Sequence, residues 1–160
     1  MGVSFIPEIF KADEKEKLDI KPNFNSDILT IELTPGLKPS FLRLLIDSGT
    51  CQGILLKSLG AGNVPSIDEY SLIPIIKRAV ELNIPVVITT KFVGGMVHMD
   101  IYEPGMKALE AGAIPARDMT DVAAQVKFMW ALAQGYRKPE ELRKVMLHDY
   151  VGEVTESEGN

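Results

Sequence analysis

From residue 28 onward, apolar and polar positions alternate between short β-type runs and longer helical stretches. Ile28, Thr30 and Glu32 interleave with Leu29, Ile31 and Leu33, the period of two expected of a strand with unlike faces. Pro35-Gly36 turns the chain. Ser40 stands as the expected N-cap of a helix carrying Phe41, Leu42, Leu44, Leu45 and Ile46, with Gly49 at its C′ position. Gly53-Ile54-Leu55-Leu56 is continuously apolar, as in a strand covered on both faces. The spacing predicts a helix over 71–82, with Ser71 as cap and Pro74 in the first turn, where proline is tolerated. Leu72, Ile75, Ile76, Ala79 and Val80 form its apolar face, and Asn83 ends it. Residues 85–90 read as a third strand, followed by Gly94-Gly95. Helices are expected over 102–110, over 120–134 and from Pro139, with Ala113-Ile114 as a very short strand. Val122, Val126, Met129, Trp130 and Ala133 are the expected inward stripe of the 120–134 helix.

Strands separated by single helices make βαβ units, and βαβ units make a parallel sheet. The expected fold class is therefore α/β, a three-layer α/β/α arrangement with a sheet of about four parallel strands. The ends differ in character. Residues 1–27 combine the apolar patch Val3-Ser4-Phe5-Ile6, a charge run from Lys11 to Asp19 and the turn-rich Lys21-Pro22-Asn23-Phe24-Asn25. They read as a linker or extended arm ahead of a domain over 28–150. Residues 151–160 are small and acidic, and read as a disordered tail.

Composition narrows the partners. A chain of 160 residues fits one domain, and its net charge is −5 with no lysine or arginine stripe, which argues against nucleic acid. No apolar run approaches the ~20 residues needed to span a bilayer, so no membrane partner is expected. The start, Met1-Gly2-Val3-Ser4-Phe5-Ile6, lacks a basic secretory region, and Ile6 stands where a myristoylation motif has Ser or Thr. The single cysteine, Cys51, sits in an apolar run and reads as a small buried hydrophobe. A cytoplasmic location follows as the expectation. Five asparagines, three glutamines and one cysteine point weakly toward a thermophile.

In parallel sheets ligands bind beyond the carboxyl ends of the strands. The loops expected there, 58–65 and 91–96, are also the glycine-rich ones. Gly60-Ala61-Gly62 lacks the third glycine of a dinucleotide fingerprint, and turn residues rather than a helix follow it. There is no phosphate-loop lysine and no Gly-x-Ser-x-Gly elbow, and no cofactor is expected. His98 and His148 are the only histidines. His98-Met99-Asp100 offers two metal ligands with no third specified, so no metal is expected. The carboxylates of Asp68-Glu69 and Glu140-Glu141 sit near helix starts and suit the dipole there. Asn63 has two readings. Its amide, beside a glycine that permits close approach, is suited to the amino or carboxylate group of a small polar substrate. It is also suited to closing a turn before Val64-Pro65, the reading that spacing alone favours.

The segment Cys51-Gln52-Gly53-Ile54-Leu55-Leu56-Lys57-Ser58-Leu59-Gly60-Ala61-Gly62-Asn63-Val64-Pro65 resembles the Asp-Gly-Ile-Val…Gly-x-Gly-Asn-x-Pro segment of L-asparaginases, closest to the cytoplasmic, archaeal-like type I enzymes. The similarity continues through 85–91, 108–112, Ile114-Pro115 and Asp118-Met119-Thr120 to Lys138-Pro139-Glu140-Glu141, and covers roughly 28–150. These motifs belong to the smaller C-terminal domain of that family. The nucleophile and its activating groups lie in the N-terminal domain, within Thr-Gly-Gly-Thr-Ile and His-Gly-Thr-Asp-Thr, and neither motif occurs here. Ser48-Gly49-Thr50 is no substitute, because it reads as a helix stop.

The resemblance thus implies a half-enzyme without a catalytic residue of its own, acting with an asparaginase N-terminal domain. It implies a homodimer in which the Gly-Asn loop reaches the neighbouring subunit's active site. Asn63, with Gly62, is the substrate-positioning residue it points to, for a small amino-acid substrate. It also implies an acidic residue after the third strand, where Asp100 and Glu103 stand. Two other functions compete: a dimerisation or scaffold module with no substrate, and the related domain of the archaeal amidotransferase subunit that supplies ammonia to glutamyl-tRNA.

Overall fold

The computed structural model describes residues 19–155. Four strands, β1 (Ile28–Glu32), β2 (Gly53–Ser58), β3 (Val86–Thr90) and β4 (Ile114–Pro115), form one sheet in the order β1-β2-β3-β4. Every neighbouring pair is parallel, with Leu29 opposite Ile54, Ile54 opposite Val86, and Val87 opposite Ile114. Helices α1 (Pro39–Asp47), α2 (Ile73–Glu81) and α3 (Glu103–Glu110) are the successive crossovers; α4 (Asp121–Ala133) and α5 (Pro139–Leu147) follow the last strand.

A sequential strand order with crossovers of one hand places all three crossover helices on the same face. The core shows this division. Ile54, Leu56, Val86 and Ile88 pack with Leu42 and Ile46 of α1, Ile76 and Ala79 of α2, and Ala108 of α3. The intervening Leu55, Val87 and Ile114 pack on the other face with Ala124, Phe128 and Leu132 of α4 and Leu142 and Met146 of α5. This is the expected α/β fold with helices in two outer layers. The continuous apolar run of β2 is explained by it, since Ile54, Leu55 and Leu56 are all buried. Gly53 permits α4 to approach the sheet: a Cβ there would lie 2.6 Å from a ring carbon of Phe128.

Local signals set most boundaries, with two shifts at helix starts. Pro39 begins α1, and Lys38, extended as residues before proline are, takes the cap position expected of Ser40. Ser71 does not cap α2. Its N–H donates to the Asp68 carbonyl at 3.2 Å, closing a 3-10 turn over Asp68–Tyr70, and Leu72 occupies the cap. Thr120 does cap α4, its hydroxyl accepting the Ala123 N–H at 3.1 Å. Gly49 stands just past α1 with φ +68, the left-handed C′ conformation.

The inward face of α4 is a correction. Ala124, Lys127, Phe128, Ala131 and Leu132 are the buried residues, while Val122 and Val126 are exposed. The helix is apolar nearly all round, so periodicity alone does not choose between its faces. Trp130, partly buried, packs at the margin of this core and also meets other parts of the chain. Its indole N–H donates to the Lys21 carbonyl at 3.2 Å, and its ring stands edge-on to Tyr150 at 5.4 Å.

Of the expected N-terminal arm, residues 1–18 lie outside the described residues. Residues 19–27 carry no helix or strand, and Asn25 donates its N–H to the Met129 carbonyl at 2.9 Å. At the other end, residues 156–160 lie outside the described residues, and the expectation of disorder from Val151 does not hold for 151–155. Val154 is buried, and Glu153 pairs with Lys127 at 2.5 Å, both side chains being largely out of water. Lys127 also donates to the His148 carbonyl. Thr155 anchors on Asp118, donating its N–H at 3.0 Å and its hydroxyl at 2.5 Å. A small acidic sequence has little apolar surface to bury; one valine and two polar anchors suffice when a buried lysine waits for a carboxylate.

Burial alone would raise the Glu153 carboxyl, but the bonds from Lys127 and from the Val151 N–H pull it down to about 2 from an ordinary 4.5. A depressed carboxyl stabilises the fold fully above its unfolded value and loses that contribution as pH falls through the folded one. The pair is therefore expected to stabilise the domain above about pH 5 and to fail between pH 5 and about 2. Glu153→Gln, which takes the carboxylate partner from the buried Lys127, is expected to cost roughly 3–5 kcal/mol in urea unfolding at pH 7, and Lys127→Met with Glu153→Leu to recover most of it.

Candidate functional site

The carboxyl ends of β2 and β3 run directly into the two glycine-rich loops. After Ser58, residues Leu59–Asn63 form a tight turn. Leu59 N–H donates to the Asn63 carbonyl at 3.2 Å, and Asn63 N–H returns to the Leu59 carbonyl at 2.9 Å. The turn requires glycine. Gly60 has φ +53 and Gly62 φ +105. A Cβ on Gly62 would also lie 2.8 Å from both Met99 Cγ and Val97 Cγ1. The loop is thus pressed onto the 97–100 segment, and His98 N–H donates to the Ala61 carbonyl at 2.9 Å.

These backbone bonds determine the state of Asn63. Its main chain is fully used in closing the turn, so the turn does not need its side chain. The residue is half-buried, and its amide makes no hydrogen bond among the described residues. The two readings of Asn63 are therefore not exclusive: the backbone closes the turn, and the side-chain amide is left over.

Asp100 lies at the end of the segment that supports the loop. It is exposed and lines a cleft of about 290 Å³ with His98, Arg117 and Arg143; Asn63 is not among the lining residues. Gly105 makes this segment's position possible, since a Cβ there would fall 2.5 Å from the Met99 carbonyl oxygen. Glu103 has a simpler explanation. It begins α3 and pairs with Lys107 one turn on at 2.6 Å, which lowers its carboxyl from the ordinary range. The structure thus brings Gly62, Asn63 and the 97–100 segment into one packed unit, leaves Asp100 on its outer side, and occupies Glu103 within its own helix.

A second cleft, about 220 Å³, lies beyond β3, lined by Lys57, 90–95 and 118–121. Lys57 reaches Asp121 at 2.7 Å and Glu32 at 4.0 Å. The hydrogen bond to Lys57 holds the Asp121 carboxyl below its usual range, and the same bond raises the lysine. Lys57 is thus a charged, neutralised strut rather than a free base.

Among the described residues no arrangement supplies a nucleophile with a base. Ser48 and Thr50 share a hydrogen bond of 2.8 Å, and Ser48 donates to the Leu45 carbonyl at 2.7 Å, which closes the end of α1. The Cys51 thiol is buried and pushed up by that burial, the opposite of an activated thiol. No three His, Cys, Asp or Glu side chains among the described residues converge as metal ligands. None of the helices there is long and apolar enough to cross a membrane. No local motif marks Arg117 or Arg143 in the chain. They are 26 positions apart, one in a turn and the other on the polar face of α5.

The profile of the glutaminase/asparaginase C-terminal domain matches residues 27–146. An L-asparaginase of Thermococcus kodakarensis is 42% identical over 136 residues, which are 85% of this chain and 40% of that protein. A glutamyl-tRNA(Gln) amidotransferase subunit of Pyrococcus abyssi is 32% identical over 153 residues, 96% of this chain and 34% of that protein. Among solved structures, the thermostable L-asparaginase from Thermococcus kodakarensis superposes with TM-score 0.78 at 40% identity, covering 85% of this chain and 40% of that one. L-asparaginase I from Vibrio cholerae gives 0.76 at 29% identity, covering 88% and 41%. The chain spans between a third and two fifths of the length of these relatives.

Gly62→Ala tests the packed unit. The left-handed backbone and the contacts with Met99 and Val97 are expected to make it cost roughly 1–3 kcal/mol, read by thermal unfolding. Gly94→Ala, where a Cβ meets nothing within 4 Å although φ is +71, is expected to cost about 1 kcal/mol.

Proposed function

Because the chain belongs to the glutaminase/asparaginase C-terminal domain family, we propose that it serves as the non-catalytic half of an L-asparaginase-type amidohydrolase. In this reading it supplies one wall of the substrate site, and an N-terminal domain supplies the nucleophile. The assembled enzyme hydrolyses L-asparagine to L-aspartate and ammonia in the cytoplasm, and the chain pairs as a homodimer. The observation that carries the reading is the spare amide of Asn63, held at the carboxyl edge by a turn whose own bonds are all main-chain. Amide hydrolysis needs a positioned nucleophile and base. Asn63 can donate and accept hydrogen bonds but cannot attack, so its role is to orient the substrate. Asp100 is the acidic residue proposed beside it, reaching the site from the outer side of the same packed unit. The sparse asparagine, glutamine and cysteine content suits a thermophilic source, and the similar Thermococcus kodakarensis enzyme is described as thermostable.

A second reading has its own support. The similarity to the Pyrococcus abyssi amidotransferase extends over 96% of the chain, against 85% for the asparaginase. In that case the assembled amidase would work with glutamyl-tRNA(Gln), and its turnover would depend on that RNA.

Mixing the chain with an L-asparaginase N-terminal domain is expected to restore asparagine hydrolysis, which neither part shows alone. Asn63→Ala in the mixture is expected to lower kcat/KM by about tenfold to a hundredfold, the loss of one or two hydrogen bonds to a charged substrate group. A folded, associated mixture that stays silent on free asparagine and responds only to glutamyl-tRNA(Gln) would favour the amidotransferase reading. Silence under both conditions would count against an amidohydrolase role.

A further inference from the structure

The sheet has a long open edge. β1 ends the strand order, and among the described residues no chain pairs with its outer side. Leu33 N–H donates to the Lys57 carbonyl at 2.9 Å, and the Asp27 carbonyl accepts the Gln52 N–H at 2.7 Å. By the period of two, Asp27, Leu29, Ile31 and Leu33 turn their main-chain groups toward β2, and Thr30 and Glu32 turn theirs outward. Exposed edges are commonly blunted by proline, lysine or a bulge. The strand Ile28–Glu32 has none of these, and its one charge, Glu32, lies 4.0 Å from Lys57. Helix α1 adds an apolar flank beside this edge. Leu42 and Ile46 face the core, and Asp47 reaches Arg78 of α2 at 3.3 Å. Phe41 and Leu45, one turn apart, lie on the flank away from α2, on the side beyond β1, and Leu44 adjoins them. Phe41 is 57% exposed, Leu44 71% and Leu45 42%. Below them Leu29 and Ile31 face the α1 side of the sheet and are only partly buried.

This surface is complementary to itself. Antiparallel pairing of β1 with β1 of a second copy, centred on Thr30, joins the free N–H and C=O groups of the two Thr30 residues. It sets each Glu32 N–H on the Ile28 carbonyl of the other copy, and Leu29 opposite Ile31 twice. The two Glu32 side chains then stand at opposite ends of the pair, about 13 Å apart, so like charges do not meet. The two-fold axis of such a pair is perpendicular to the sheet, which places both α1 helices on one face. Strands lie about 4.8 Å apart, so two helices that each lie over β1 and β2 run antiparallel about 10 Å apart, the spacing of packed helices. Phe41, Leu44 and Leu45 fill the space between them. An extended peptide satisfies the strand but leaves this flank in water, whereas a second copy covers both. The buried area is about 1,000 Å² in total, the lower end for a specific interface, so the association is weak. We propose that the β1 edge and the Phe41–Leu45 flank of α1 bind a second copy of this chain, joining two four-stranded sheets into one. The inference rests on the pairing proposed above and names its face. The loops after β2 and β3 take no part, so a chain that stays monomeric yet completes an active asparaginase would sink this face alone.

Sedimentation velocity of the 160-residue chain, followed from about 1 to about 500 μM, tests it. A monomer–dimer equilibrium with Kd of about 10–100 μM is expected. Hydrogen exchange reads the contact itself: the Thr30 and Glu32 amides are expected to exchange about fivefold more slowly at the high concentration than at the low one. Leu44→Glu is expected to weaken the dimer by more than about tenfold, with circular dichroism confirming the fold. Thr30→Pro, which removes an outward N–H and no bond to β2, is expected to do the same. Val122→Glu, at an exposed valine of α4, is expected to leave the dimer unchanged. The proposal is overturned by a chain that is monomeric throughout this range, including one that dimerises only once residues 1–18 are removed. It is equally overturned by a dimer that tolerates folded Leu44→Glu, or by one in which the Thr30 and Glu32 amides exchange at an unchanged rate.

Discussion

Two strands buried on both faces impose the rest of this architecture. β2 and β3 carry apolar side chains above and below the sheet, and a parallel sheet with either face open would leave half of them in water. The sequential order β1-β2-β3-β4 sends α1, α2 and α3 to one side only. The opposite side therefore has to be closed by chain that comes after the last strand. That is the work of α4 and α5, with Phe128 seated over Gly53 and the Lys127–Glu153 pair fastening the following segment behind them. The long terminal stretch that looks like an appendage to four short strands is half of the core's enclosure.

The same strand order bears on function. Doubly wound sheets bind ligands in a crevice that opens where the strand order reverses, because neighbouring loops there diverge to opposite faces. This sheet has no reversal among its four strands. Its carboxyl-edge loops lie side by side, and they pack on each other: Gly62 lies against Met99 and Val97, and Ala61 binds His98. The edge is a built surface with a spare amide on it, and not an enclosed catalytic crevice. A wall of that kind suits a site completed by another domain. That is consistent with a chain that spans about two fifths of the similar L-asparaginase.

Much of this is legible in the chain before its structure. Short β-rich runs separated by single helices identify the parallel sheet, and the Gly-x-Gly-Asn turn identifies the loop at its carboxyl edge. Features that depend on contacts distant in sequence are not legible. The buried face of α4 escapes a local reading because Val122, Val126, Phe128, Trp130 and Leu132 are all apolar, and only the position of Gly53, some 70 residues earlier, decides which of them faces the sheet. Glu153 and Val154 look like tail because nothing local reveals that Lys127 is buried beneath them. Pro39 outweighs Ser40 because a fixed φ begins a helix more firmly than a hydroxyl caps one. Asp100 stands out as an acidic residue near the loop, while its arginine neighbours are brought to it only by the packing of α5 and the turn after β4.

The claim on which the functional reading turns is that the Asn63 amide is spare in this chain and becomes occupied when the site is complete. Its side-chain NH2 resonances, followed by nitrogen-15 NMR in the chain alone and then assembled with an L-asparaginase N-terminal domain, report that directly. They are expected to exchange as a solvated amide in the isolated chain, and to shift and become protected on adding L-aspartate to the assembly. An amide that stays solvated and unshifted while the assembly demonstrably binds L-aspartate would contradict a substrate-positioning role for Asn63.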